Sequence, residues 1–372
     1  MREFNAWFVV SGVRLMVITF FLPLAAALIA LACCLLVIRN AQKWQLMDKP
    51  NHRSSHVRPT PGGGGVGVVL AGVLTGLCLV WFSGWAWILG ATVIAMSIVL
   101  AAVGLIDDMR PMRASYRLGV QLFVSGAILF AMGGVPEFER FMGGNIMGAN
   151  NFGRMFMYPL LLLVILWWIN LFNFMDGIDG LAGSQAVFML LSGAGLLAWL
   201  NPFVTAHPMW LWMLCISAAV VGFLLLNWAP AKIFMGDVGS IYLALMILSL
   251  ALMSIRYQWV SVPAGLGMWA ILGAVFATDA TVTLLVRMAT GQRWHEGHRS
   301  HVYQQLSRRW ASHQKVTALY MGINLLWLLP LAAACVVWPQ WALALIFLAY
   351  LPLIAATFIL GAGRPEQGEK TA

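Results

Sequence analysis

Five polar clusters interrupt an oily chain, and each carries side chains able to bind or orient charged groups. Asp107 and Asp108 are adjacent carboxylates at the end of an apolar run. Asn170, Asn173, Asp176 and Asp179 recur at every third position. Asp237 closes the string Phe234-Met-Gly-Asp. His295, His298, Arg299 and His301 sit together in a basic segment, and a fifth cluster, Asp48 to Gly65, is basic and then glycine-rich. Such carboxylates, amides and imidazoles can hold a cation, a polar ring or phosphate oxygens.

Each cluster also has a bland reading. Asp107 and Asp108 could form a solvated helix end. Acids are disfavoured at a helix C-terminus, however, and paired carboxylates persist most easily where a cation or a shared proton relieves them. A polar turn would explain the glycines and acids between 170 and 180 but not the repeated spacing. That spacing stacks the four side chains along one edge of a 3₁₀-like turn, or drifts them round one side of an α-helix. Gly177 and Gly180 would let a ligand approach the backbone closely. Asp237 is either a helix cap or a ligand for a hard cation, with Phe234 offering a flat face to a base.

His295 and His298 stand three apart with Gly297 between them, not four apart as in an HExxH zinc helix. Phosphate oxygens are therefore better partners for His295, His298, Arg299 and His301. The Gly62 to Gly65 run leads into a helix whose first amides could receive an anion, although no Gly-Lys-Ser/Thr follows to make a P-loop. Asp279 stands apart, inside an apolar run. A charge at a helix centre there costs about 2.5–3.5 kcal/mol on insertion scales, so it needs a partner.

The elements that must position these residues follow from composition. The 372 residues are 61% hydrophobic and 9% charged, against roughly 25% charged in a soluble domain. About eleven apolar runs are long enough to cross a bilayer as helices, near 15–38, 64–83, 85–106, 118–133, 156–174, 180–199, 209–227, 238–255, 262–287, 316–337 and 340–361. No stretch is long and polar enough for a separate soluble domain. The expectation is an all-α polytopic membrane protein with a single membrane-embedded domain over 1–372. The first run is longer than the 7–15 residues of a signal-peptide core, which marks a retained helix. The five cysteines lie in apolar runs, none in a CxxC pair, and read as small buried hydrophobes.

Placing the N-terminus in the periplasm and alternating leaves only Arg2, Arg14, Arg140, Arg154 and Arg256 of the 22 Lys and Arg outside. The positive-inside rule favours that orientation. All five polar clusters then share the cytoplasmic side, as does the C-terminus. The net charge of +9 is split among short loops with no nucleic-acid-binding module, so it fits anionic lipid or an anionic substrate and not nucleic acid.

Asp107-Asp108, Asn170-x-x-Asn173-x-x-Asp176-Gly-x-Asp179-Gly-Leu-Ala, Phe234-Met-Gly-Asp237 and the histidine segment occur in that order over roughly residues 40–310. Together they resemble the polyprenyl-phosphate N-acetylhexosamine-1-phosphate transferases, glycosyltransferase family 4. That family includes the peptidoglycan phospho-MurNAc-pentapeptide transferase and the initiators of enterobacterial common antigen and O-antigen. The resemblance implies attack of undecaprenyl phosphate on a UDP-N-acetylhexosamine, release of UMP, Mg²⁺ as cofactor, and a bacterial inner-membrane protein with its site on the cytoplasmic face.

By the same resemblance, Asp237 and Asp107 are the metal candidates. Asp107 deprotonates or orients the lipid phosphate, and Asp108 supports both. Asn170, Asn173, Asp176 and Asp179 line the nucleotide side and Phe234 stacks on uracil. His295, His298, Arg299 and His301 grip the diphosphate. The peptidoglycan enzyme has a tight histidine triplet, whereas here the histidines are spread as His-x-x-His-Arg-Ser-His. The helix count is closer to O-antigen initiators, and the stretch His298 to Gln304 resembles those taking 6-deoxy sugars. A homodimer is compatible with this picture.

Attack of one phosphate on another brings like charges together, so a metal and cationic side chains suit the reaction. A membrane transporter or lipid flippase is the alternative. It would place polar residues near the bilayer midplane, whereas here nearly all are predicted at one boundary.

Overall fold

The computed structural model of the chain describes residues 12–48, 59–83, 87–133, 151–292 and 298–364. Lys49 to Arg58 of the basic cluster and His295 of the histidine segment lie outside the described residues. The apolar runs are helices, as their length and composition require. In chain order these are α1 (Gly12–Asn40), α2 (Gly65–Ser83), α3 (Trp87–Met109), α4 (Ala114–Ala131), α5 (Asn151–Phe174), α6 (Leu181–Leu200) and α7 (Pro208–Asn227). They continue with α8 (Asp237–Arg256), α9 (Val262–Leu272), α10 (Ala274–Ala289), α11 (Val302–Trp310), α12 (His313–Ile323), α13 (Leu329–Val337) and α14 (Ala342–Ile359).

Among the described residues, nine helical spans are long and apolar enough to cross a membrane, with α12 and α13 running on as one. The bent pair α9–α10 makes a tenth. The apolar helix α5, with described side chains over Tyr158–Phe174, accounts for the remaining run. The all-α polytopic architecture is thus observed.

One run is not the single straight helix its hydropathy suggests. Residues 262–287 break at Gly273 with a bend of 68° between α9 and α10. A break inside a membrane helix frees backbone carbonyls that need new partners. Gln185 of α6 donates to the Leu272 carbonyl at 2.9 Å, and Asn324 holds Gln185 in turn at 2.6 Å. Both amide side chains are fully buried. A Cβ at position 273 would fall 2.9 Å from the Trp168 ring, so the corner is also closely packed.

Helix α8 is the centre of the bundle. Of its membrane window 94% is buried inside the protein, against 22% for the first and last spans. It packs against α3, α5, α2 and α6. Its N-terminal end is approached unusually closely: a Cβ on Gly65 would lie 2.3 Å from the Gly239 Cα, and one on Gly104 would lie 2.7 Å from the Asp237 backbone.

A short hairpin with two residues in each strand fixes this end. Strand β1 (Met47–Asp48) pairs antiparallel with β2 (Thr60–Pro61). Phe234 N–H donates to the Pro61 carbonyl, and Gly64 and Gly65 donate to the carbonyls of Phe234 and Met235 at 2.8 and 2.9 Å. This corrects one expectation. The amides of Gly64 and Gly65 are not open to an anion, because the glycine run lets α2 dock on the backbone just before α8.

Candidate active site

The N-terminal end of α8 meets the C-terminal ends of α3, α5 and α7 around a cavity of about 270 Å³. Asp108, Asn173, Asp176, Asp179, Phe234 and Asp237 line it, so four of the sequence clusters, counting the hairpin's Asp48, share one space. Gln304 and His313 close it from α11 and α12, and Asn227 from the end of α7.

Asp108 caps α8. Its two oxygens accept the backbone N–H groups of Asp237 at 2.8 Å and Val238 at 3.1 Å. These are orphan donors at a helix start, where a carboxylate is favoured. Gly236, at φ 75°, sits so close that a Cβ would lie 2.5 Å from the Asp108 carboxylate. The cap and the Met-Gly-Asp string are therefore one piece of geometry, and Asp237 enters the cavity from the first position of α8.

Asp107 is not itself in the cavity lining, but its side chain touches that of Asp237. It accepts the Met112 N–H at 2.6 Å and pairs with Arg117, whose same nitrogen lies 3.2 Å from Asp237. Arg117, in the first turn of α4, thus bridges the two carboxylates. It belongs to none of the five sequence clusters. An acid at the end of α3 and a base at the start of α4 are each disfavoured by their helix dipole, and that double mismatch was the available signal.

The three-residue repeat is divided by the end of α5. Asn170 remains on the helix and points to α4, exchanging a hydrogen bond with Gln121 at 2.8 Å. It does not line the cavity. Asn173, near the end of α5, stands beside Asp237 in the cavity wall. Asp176 and Asp179 lie in the turn that follows. Burial, reinforced by Asp237, Asp108 and Asp179, pushes the Asp176 carboxyl well above its ordinary range.

Asp179 anchors the turn, accepting the Ala231 N–H at 3.0 Å and lying 3.2 Å from His313 Nδ1. Asn227 completes the anchor between Gly180 N–H and the Ile233 carbonyl. The expected ligand approach at Gly177 is partly taken by protein, since a Cβ there would lie 2.1 Å from the Tyr303 hydroxyl.

The described part of the histidine segment is packed, and His298, Arg299 and His301 do not line the cavity. His301 is 3% exposed and stacks near His298, with ring centroids 4.8 Å apart. Burial, then the neighbouring His301 and Arg287, pushes His298 down to about 3, so its ring is neutral at pH 7. Arg299 supplies a carbonyl to Arg308 at 2.9 Å.

The partner of Asp279 is this same segment. Its carboxylate accepts the N–H groups of Val302 and Tyr303 at 2.9 and 3.1 Å and the Tyr320 hydroxyl at 2.7 Å. His301 Nδ1 lies 3.5 Å away. Asp279 therefore fastens α11, which carries Gln304 to the cavity, onto α10 and α12.

The oxygen-rich wall suits a hard divalent cation. Asp176 and Asp237 face the same space, crowded by like charge, and the described lining contains no lysine or arginine. Asp108 is already engaged by two backbone donors. Among the described residues no group of three or more His, Cys, Asp or Glu forms a complete cage. Mg²⁺ does not require one, since it commonly takes one or two carboxylates and completes its shell with phosphates and water.

Comparison with known proteins gives the family. The model of the family described as glycosyl transferase family 4 matches residues 90–255, the segment from α3 to α8 that holds Asp107, Asp108, the 170–179 repeat, Phe234 and Asp237. The chain is 30% identical over 298 residues to a probable undecaprenyl-phosphate N-acetylglucosaminyl 1-phosphate transferase of Bacillus subtilis (strain 168), over 77% of this chain and 76% of that protein. It is 31% identical over 284 residues to a phospho-N-acetylmuramoyl-pentapeptide-transferase of Mycobacterium ulcerans (strain Agy99), over 66% of this chain and 75% of that protein. With its motif residues gathered at one end of α8 and these relatives matched over most of their length, the chain belongs to glycosyl transferase family 4.

Proposed function

We propose that the chain transfers an N-acetylhexosamine-1-phosphate, with 6-deoxy sugars in its range, from a UDP-sugar to undecaprenyl phosphate. The products are undecaprenyl-diphosphate-sugar and UMP, and the step initiates O-antigen or another cell-surface polysaccharide at the bacterial inner membrane. The observation that carries this reading is the convergence of Asp108, Asn173, Asp176, Phe234 and Asp237 on one cavity at the end of apolar spans. A lipid phosphate stays in the bilayer and a sugar nucleotide stays in water, so they meet at such a boundary. The loop charges favour the cytoplasmic boundary.

In the proposed reaction an oxygen of the lipid phosphate attacks the sugar-bearing β-phosphorus. The bond from that phosphorus to the oxygen bridging the two phosphates breaks, and UMP leaves with the electron pair. Asp107 and Arg117 orient the lipid phosphate next to Asp237. Phe234 stacks on uracil, while Asn173, Asp176 and Asp179 shape the nucleotide side. Asp237 and Asp176 are the residues that would hold Mg²⁺, with Asp107 in side-chain contact with Asp237 and tied to it by Arg117 as well. Bound there, the ion would offset the negative charge gathered on the phosphates.

The test is to incubate purified protein with undecaprenyl phosphate, Mg²⁺ and a panel of UDP-sugars, and to identify the lipid product by mass spectrometry. Asp237→Asn should abolish UMP release with unchanged thermal unfolding. Near-normal turnover by that variant would reject its role, and lipid movement without UMP release would favour a flippase.

A further inference from the structure

The cavity poses an electrostatic problem that the sequence clusters do not solve. Asp48, Asp108, Asp176, Asp179 and Asp237 all line it. A nucleoside diphosphate entering such a space meets carboxylates on several sides. Among the described residues the one basic side chain in the lining is His313, twelve positions beyond His301 and outside the histidine segment.

His313 is also held in a defined orientation. It is the first residue of α12, after Ser312, whose hydroxyl caps that helix through Lys315 N–H at 3.3 Å. Its side chain is 18% exposed, and Nδ1 lies 3.2 Å from the Asp179 carboxylate. The backbone N–H of Asp179 also points at Nδ1, at 3.3 Å. An N–H donated to Nδ1 places the neutral ring's proton on Nε2. Protonating the ring adds a second N–H towards the Asp179 carboxylate and leaves Nε2–H in place. With Nδ1 accepting from the Asp179 backbone, Nε2 is a donor, and no described residue engages it.

We propose that His313 is a substrate-binding residue whose Nε2–H donates to the diphosphate of the nucleotide sugar, with Asp179 holding the ring. This rests on the nucleotide-sugar reading above. It places the imidazole contact on α12 and not on the described part of the histidine segment, where His298 and His301 are packed against each other.

Two substitutions separate contact from scaffolding. The amide of Asn superimposes on Nδ1, so His313→Asn keeps the tie to Asp179 and removes the group at Nε2. The amide of Gln reaches the Nε2 position, so His313→Gln does the reverse. Binding of UDP and of uridine to the full-length protein in Mg²⁺ buffer is measured by calorimetry. UDP carries the diphosphate common to these donors, and uridine lacks it.

A lost hydrogen bond to a charged group should weaken UDP by about tenfold or more. The expected result is that loss for His313→Asn, a smaller loss for His313→Gln, and uridine affinity within about twofold throughout. UDP affinity of His313→Asn within about twofold of the unsubstituted protein, equal losses of UDP and uridine, or a larger loss for Gln than for Asn would overturn the proposal. If the unsubstituted protein binds UDP and releases UMP but His313 proves indifferent, only this inference fails. If it neither binds UDP nor releases UMP, the transferase reading fails with it.

Discussion

The side chain of Asp108 closes the open end of the helix that begins at Asp237, reaching across from α3 to a residue 129 positions later in the chain. The contact serves fold and site together, because the backbone it holds is the one from which the Asp237 side chain enters the cavity. Removing a carboxylate cap costs about 0.5–2 kcal/mol. Asp108→Ala should therefore lower the thermal unfolding temperature in detergent and reduce UMP release. Asp108→Asn, which retains one acceptor oxygen, should recover most of the stability. Equal unfolding temperatures for the unsubstituted protein and Asp108→Ala would show that the cap does not hold α8.

Arg117 links Asp107 to Asp237, so the three should behave as a unit. Arg117→Met leaves two carboxylates facing each other with no cation between them. Turnover should fall by about tenfold or more. Adding Asp107→Asn removes one of the opposed charges, so the double variant should be more active than the product of the single effects predicts. Contacting residues commonly show coupling of about 0.5–3 kcal/mol. Strict additivity in UMP-release rates would mean that Arg117 acts on Asp237 alone.

Acid should act through His298. Its folded pKa, about 3, lies below the ordinary 6.5. Between those values the unfolded chain binds the proton and the folded protein does not. The contribution is fully present above pH 6.5 and is lost progressively as pH falls towards 3. His298→Gln should flatten that part of the stability-against-pH curve while leaving stability at pH 8 nearly unchanged. A curve with the same acid slope in the variant would assign the slope to other groups.

The spans were legible because burial in lipid demands long apolar runs, and the site clusters because polar side chains at helix ends stand out against them. What stayed hidden depends on contacts between distant segments. The corner at Gly273 carries no proline or polar interruption, and Gln185 and Asn324 make it tolerable from two other helices. The repeat from Asn170 to Asp179 suggested one edge, but α5 ends after Phe174, which sends Asn170 to Gln121 and the two acids into a turn. Arg117 shows only the dipole mismatch at the start of α4, and nothing local distinguishes a solvated His313 from one that faces Asp179. The histidine segment drew attention by density, yet its described rings are packed together while an isolated histidine lines the cavity.

Asp279 offers the sharpest separation of structural from chemical roles. It does not line the cavity, and it joins three elements through hydrogen bonds to Val302, Tyr303 and Tyr320. Asp279→Leu would leave two buried backbone N–H groups and a buried hydroxyl without their acceptor. Each unsatisfied group costs about 1–3 kcal/mol, which is enough to release the start of α11 or unfold the protein. Asp279→Asn keeps one acceptor oxygen but turns an amide N–H towards donors, so it should be intermediate in thermal unfolding. Gln304 rides on α11 into the cavity, and loosening α11 should therefore raise KM for the nucleotide sugar more than KM for the lipid phosphate. Hydrogen exchange at the Val302 and Tyr303 amides should quicken in Asp279→Asn while the amides of α8 remain protected. Unchanged exchange at those two positions would mean that the Asp279 carboxylate does not fasten α11.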